Sequence, residues 1–144
     1  MTPDERLARL AAGEEPKLIA RMASGFAVMG DSQFLPGYCL LLASPKAGQL
    51  NELEGEDRMR FLADMAALGD AVRAATGCLR VNYSIYGNLD PFLHAHVWPR
   101  YADESEATRT LPPLTISAEL RESVPYDEAS HGGLREAIAI SLTP

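Results

Sequence analysis

A single long apolar stripe limits the architectures open to this chain. Over residues 55–76, Phe61, Leu62, Met65, Leu68 and Val72 fall at i, i+1, i+4, i+7 and i+11, one face of a helix of about 3.6 residues per turn. Asp57, Arg60, Asp64 and Arg73 lie mostly off the stripe, and Gly77 supplies a stop. The other strong patterns around it are strand-like. Residues 17–22 and 26–29, separated by Ala23-Ser24-Gly25, predict a hairpin. Residues 38–43 are apolar throughout and predict a central strand, while 79–86 and 92–98 predict a fourth and a fifth strand joined through Gly87 to Pro91. Pro99 lacks an N–H and is expected to end the fifth. One covering helix does not make βαβ repeats, so the expected class is α+β: roughly a five-stranded antiparallel sheet with one long helix packed on it. A short helix over 4–12 precedes the sheet. A short C-terminal helix over 134–142, with Leu134, Ile138 and Leu142 inward, ends the chain.

At 144 residues with no long linker, one domain spanning 1–144 is expected. Within it 103–144 is less typical: Ala102-Asp103-Glu104-Ser105-Glu106 is acidic and Leu111-Pro112-Pro113 is irregular, so 103–130 reads as a surface arm. A net charge of −7 argues against a nucleic-acid binder, which needs a basic stripe. It leaves room for a small phosphorylated ligand held by local donors. The sequence has no apolar run of membrane-helix length and no signal-peptide core, and its two cysteines, Cys39 and Cys78, lack metal-site spacing. The expectation is a cytoplasmic protein with reduced thiols, without membrane contact or cofactor.

The chemistry concentrates in Asn88-Leu89-Asp90-Pro91-Phe92-Leu93-His94-Ala95-His96-Val97-Trp98-Pro99-Arg100. Two of the chain's three histidines stand here, one residue apart. Alternation on a strand puts His94 and His96 on one face, flanked by Phe92 and Trp98, and Leu93, Ala95 and Val97 on the other. Three readings compete. The pair is ordinary decoration of a half-exposed strand, or half of a metal site, or the centre of covalent phosphorus chemistry. A metal needs a third ligand, and the candidates are distant in sequence: His131 in the tail, Asp90 in a turn. A neutral imidazole held through one nitrogen is a good nucleophile with the other, and its neighbour can bind a phosphate oxygen.

The stretch His94-Ala95-His96-Val97-Trp98-Pro99-Arg100 resembles the signature of the histidine triad (HIT) superfamily of nucleotide hydrolases and transferases, His-x-His-x-His followed by apolar residues and often Pro-Arg. Asp31-Ser32-Gln33-Phe34-Leu35-Pro36-Gly37-Tyr38, the apolar strand after it and Ser44-Pro45-Lys46 are similar to further family stretches, so the likeness spans about 17–101. It implies a HIT-like fold, a homodimer, no obligatory metal, and cleavage of a nucleoside phosphate or dinucleoside polyphosphate such as diadenosine polyphosphate. His94 falls where the family has its nucleophile and His96 where it has a phosphate contact. Asp31 is implied as the ribose-binding acid, with Gly30 the competing alignment, and Asn88 as a phosphate-contacting amide. Leu18, Ile19, Met22 and Phe26 match the apolar nucleobase pocket. Trp98 is placed to stack on a base or to fill a packed surface, and Arg100 to bind a terminal phosphate. Phe92 departs from the triad's first histidine, and Tyr38 from the histidine that follows Pro-Gly. A nucleotide-binding module with little catalysis, and a metal-binding protein using the His pair, stay as alternatives.

Overall fold

Alternation along the strands divides the sheet into a helix-covered face and a face that carries the histidines. The computed structural model describes residues 1–142. Five strands, β1 (Leu18–Met22), β2 (Gly25–Met29), β3 (Cys39–Ala43), β4 (Arg80–Ile85) and β5 (His94–Arg100), lie in the order β1-β2-β3-β5-β4, every neighbouring pair antiparallel. The α+β, five-stranded antiparallel expectation holds, and β3 is the middle strand. Five helices accompany them: α1 (Pro3–Ala11), α2 (Gly55–Thr76), α3 (Glu106–Arg109), α4 (Ala118–Arg121) and α5 (Glu128–Leu142).

On the covered face, Ala27, Met29, Cys39, Leu41, Leu93, Ala95 and Val97 meet Phe61, Leu68 and Val72 of α2 and Ile138 of α5. The sequence stripe apart from Leu62 is thus the contact surface, and each fully buried large apolar side chain adds roughly 1.5–3 kcal/mol of burial free energy. α2 ends where Gly77 takes the left-handed conformation (φ 66°). Along the same helix Gly69 leaves space for Tyr83 of β4, whose hydroxyl would lie 1.9 Å from an added Cβ. Asp64 accepts from the backbone N–H and the hydroxyl of Ser24, tying the β1–β2 turn to α2. No helix among the described residues is long and apolar enough to cross a membrane.

Two expectations need correction, and a third gains detail. The strand carrying the histidines starts at His94 and runs through Pro99 to Arg100. The nitrogen of Pro99 faces the β3 flank, beyond the last β3 pair at Cys39–Val97, so the missing donor leaves no ladder bond unmade. The C-terminal helix is not short: it has 15 residues and starts at Glu128, with Asp127 accepting from the Ser130 backbone at 3.1 Å. Finally, the surface arm 103–130 is mostly exposed, as expected, but it is structured and tied down. It contains α3 and α4, and its far end bonds back to the chain before β3 through Gln33 N–H to Val124 O (2.7 Å) and Tyr126 N–H to Asp31 O (2.7 Å).

Candidate active site

β5 presents His94 and His96 on the face opposite α2 and α5, as the alternation requires, with ring centroids 5.2 Å apart and planes at 69°. Both line a cavity of about 380 Å³, together with Tyr38 of the β3 approach and Asp31 of the loop after β2. The β4–β5 loop contributes Leu89 and Asp90 to its rim.

Hydrogen bonds give the two rings opposite tautomers. His94 Nδ1 lies 2.8 Å from the Phe92 carbonyl. A carbonyl only accepts, so Nδ1 carries the proton and Nε2 keeps its lone pair. His96 Nδ1 lies 2.8 Å from the Tyr38 hydroxyl. Burial, then the nearby Cys39 and Asp31, push the Tyr38 phenol well above its ordinary value, so it keeps its proton and donates it to Nδ1. Burial and then His94 pull His96 down to about 4, which leaves a neutral ring with its own proton on Nε2. One ring is a lone-pair donor and its neighbour an N–H donor.

Tyr38 is the residue that sequence reasoning set aside. Its ring occupies the space a side chain at Gly30 would need, an added Cβ falling 2.2 Å from Cδ2. It stacks on Trp98 at 3.9 Å with planes 1° apart. The available signal was parity: Tyr38, Leu40 and Leu42 share a face of β3, and Leu40 and Leu42 pair with His96 and His94.

The other expected site residues divide. Asp31 lines the cavity, paired with Lys17 at 2.6 Å. Trp98 also lines it but is 3% exposed, with one face on Tyr38 and its indole N–H on the Ser84 hydroxyl; packing is its structural role. Asn88 is exposed in the β4–β5 loop beside the lining residues and does not itself line the cavity. Ile19 is not in the site, since it points into the helix-covered core, where Met22 also packs. Phe26 and Leu18 are on the histidine face but pack with Leu10 and Leu7 of α1, Phe26 being 2% exposed. No open nucleobase pocket is formed by these residues. Arg100 is also corrected. Its five N–H donors go to Glu104 (two bonds), Asn82, Leu111 O and Thr108 O, leaving none for a terminal phosphate. Metal binding by the pair lacks support in the donor set: among the described residues no three His, Cys, Asp or Glu side chains come together.

Comparison of the coordinates with solved structures places this geometry. A histidine triad protein from Sinorhizobium meliloti 1021 superposes with a TM-score of 0.75 at 19% identity, covering 96% of this chain and 94% of that one. The chain has the histidine triad fold. A histidine triad protein from Marinobacter aquaeolei VT8 is similar over 96% of this chain and 93% of its own, at 21% identity and a TM-score of 0.66. A hypothetical histidine triad nucleotide-binding protein from Sulfolobus tokodaii strain7 is similar over 94% and 89%, at 15% identity and a TM-score of 0.69. No family model matches the sequence, and no curated protein does. Within this histidine triad fold, Phe92 stands at the motif's first position. Its ring centroid is 4.9 Å from that of His94 and its carbonyl accepts the Nδ1 proton, so a main-chain group orients the central ring.

Proposed function

We propose that the protein is a HIT-type nucleotide hydrolase or nucleotidyl transferase working through a covalent intermediate on His94. The observation that carries this reading is the bond from His94 Nδ1 to the Phe92 carbonyl, which fixes the lone pair on Nε2. In the proposed step that pair attacks the α-phosphorus of a nucleotide. The bond from phosphorus to the leaving group breaks, and its electrons depart with that group. The resulting imidazolium keeps its Nδ1 proton on the Phe92 carbonyl. Water or another acceptor then attacks phosphorus, returns the electron pair to Nε2 and gives up a proton. The Nε2–H of neutral His96 donates to a phosphate oxygen throughout, and Asp31 accepts from ribose hydroxyls. Diadenosine polyphosphates are the first substrates to test.

The test is mass spectrometry of the protein mixed with a nucleotide panel and quenched in base, where phosphohistidine bonds survive. A nucleotidyl adduct on the peptide bearing His94, absent in His94→Ala, is the expected result. Turnover at the normal rate by a folded His94→Ala protein would remove the nucleophile from this scheme. Phe92 favours a second reading, a nucleotide-binding module with little catalysis; tight binding of the panel with neither adduct nor turnover would select it.

The proposal extends to assembly and setting. Residues 1–144 act as one domain, and two copies associate along β4. That strand is the outer one beside β5, and Leu79, Tyr83 and Tyr86 are 64%, 42% and 53% exposed along it, a pattern suited to a partner. Free Cys39 and Cys78 accord with a cytoplasmic location.

A further inference from the structure

The cavity before His94 and His96 is walled in part by chain lying outside the motif-bearing stretch, and each outlying piece brings an arginine to it. Arg6 comes from α1 and Arg121 from α4. We propose that Arg6 and Arg121 form an anion subsite that selects substrates whose leaving group is itself a phosphate chain. This inference rests on the nucleotidyl-transfer reading above and narrows its substrate class.

The helix carrying Arg6 and the fork of Arg121 are held in place, and neither arginine is neutralised. α1 is fixed by the reciprocal Thr2–Glu5 capping box and by Leu7 and Leu10, which pack into the histidine-side cluster. Arg6 is half-buried, and its guanidinium makes no hydrogen bond or ion pair among the described residues. Arg121 is half-buried too. Its Nε donates to the Ile116 carbonyl at 2.9 Å, on a residue that is 3% exposed. That bond orients the fork and leaves the four Nη hydrogens without a partner among the described residues. The segment just after it is tied back by the Gln33–Val124 and Tyr126–Asp31 backbone bonds. Arg100, by contrast, spends all its donors within the chain.

A half-buried guanidinium without a counter-ion is costly, and in a chain of net charge −7 acidic partners are not scarce. The carboxylates lining the same cavity, Asp31, Asp90 and Glu122, are all exposed and screened by water, and Asp31 already pairs with Lys17. Both positive charges are felt at the Tyr38 hydroxyl that holds His96, where they oppose the effect of burial. Planar guanidinium forks match phosphate oxygens two at a time. One phosphate can sit at the neutral rings of His94 and His96, so a cationic pair lining the same cavity points to further phosphates. A phosphoramidate with a neutral amine leaving group has nothing to offer it.

The experiment measures kcat/KM for ATP, for diadenosine tetraphosphate and for adenosine 5′-phosphoramidate with the full-length protein, with Arg6→Gln, with Arg121→Gln and with both. Arg109→Gln, an exposed charge on the same arm, is the control. The expected result is a loss of at least about tenfold per arginine on ATP and diadenosine tetraphosphate, and less than about threefold on the phosphoramidate. Calorimetric binding to His94→Ala is expected to show ATP tighter than AMP, with that preference lost when both arginines are replaced. Equal losses on all three substrates, or none, overturn the subsite and leave the proposed function standing. If Arg121→Gln fails to fold, Arg6→Gln alone carries the same comparison. A wild-type protein that neither binds nor turns over any of these compounds overturns the proposed function, and the subsite with it.

Discussion

At the scale of single residues, the pair His96–Tyr38 decides which ring does what. Tyr38→Phe removes the donor to Nδ1 and leaves a half-buried acceptor unmet, which costs at most about 1–3 kcal/mol. Its more telling effect is on tautomer: His96 becomes free to put its proton on Nδ1, and the phosphate donor at Nε2 is lost in that form. A fall in kcat of roughly tenfold or more is expected, with KM changed less. Long-range 1H–15N spectra test the premise directly, showing the wild-type proton on Nε2 of His96 and on Nδ1 of His94. Stability should carry a matching signature. Native His96 titrates near 4 against an ordinary 6.5, so between those values the unfolded chain binds a proton that the folded one refuses. Stability therefore falls as pH drops from 6.5 toward 4, by at most about 1.4 kcal/mol per pH unit and less because the ring is partly exposed. Melting of wild-type protein against His96→Asn across that window reads the difference, which should shrink toward low pH. An unchanged gap would mean that His96 titrates normally.

The elements show where local pattern suffices and where it does not. α2 was legible from end to end because its apolar stripe and its terminal glycine are both local. The two rings of β5 were legible because alternation needs no partner strand. Tyr38 was not, since its role depends on the register between β3 and β5. The segment 103–127 was not either, since its far end is tied to the main chain at Asp31 and Gln33, distant in sequence, and the fan of bonds from Arg100 to Glu104, Thr108 and Leu111 depends on how the segment folds back. Arg100 and Glu104 form an ion pair at 2.9 Å with side chains 9% and 8% exposed. Burial works against the Glu104 charge, but the Arg100 fork outweighs it and holds that carboxyl below the usual range. Arg100→Met leaves a buried carboxylate alone, a change worth about 3–5 kcal/mol, and frees the carbonyls of Thr108 and Leu111. Limited proteolysis should then cut between residues 102 and 127 well before the sheet unfolds. Cleavage no faster than in the wild-type protein would show that the arm is held by other contacts.

For the molecule as a whole, β4 and β1 are the outer strands of the sheet, and the Val81, Tyr83 and Ile85 main-chain groups of β4 face away from β5 by alternation. If copies pair there, light scattering on the eluting protein gives roughly twice the 15.6 kDa chain mass, and Tyr83→Lys returns it to one copy. A monomeric wild type removes that assembly. The backbone architecture was readable from 144 letters, yet the enclosure of the cavity was not, because it arises from α1 and the segment 103–127 both reaching the histidine face of the sheet. The stacking of Trp98 on Tyr38 has a practical outcome. It is the only indole in the sequence, and its ring centroid lies 5.1 Å from that of His96. Its fluorescence therefore carries a native, label-free readout of the two histidine rings in the candidate site. Protonating the imidazole or displacing the phenol alters the emission of a single chromophore, so occupancy can be followed by light in real time.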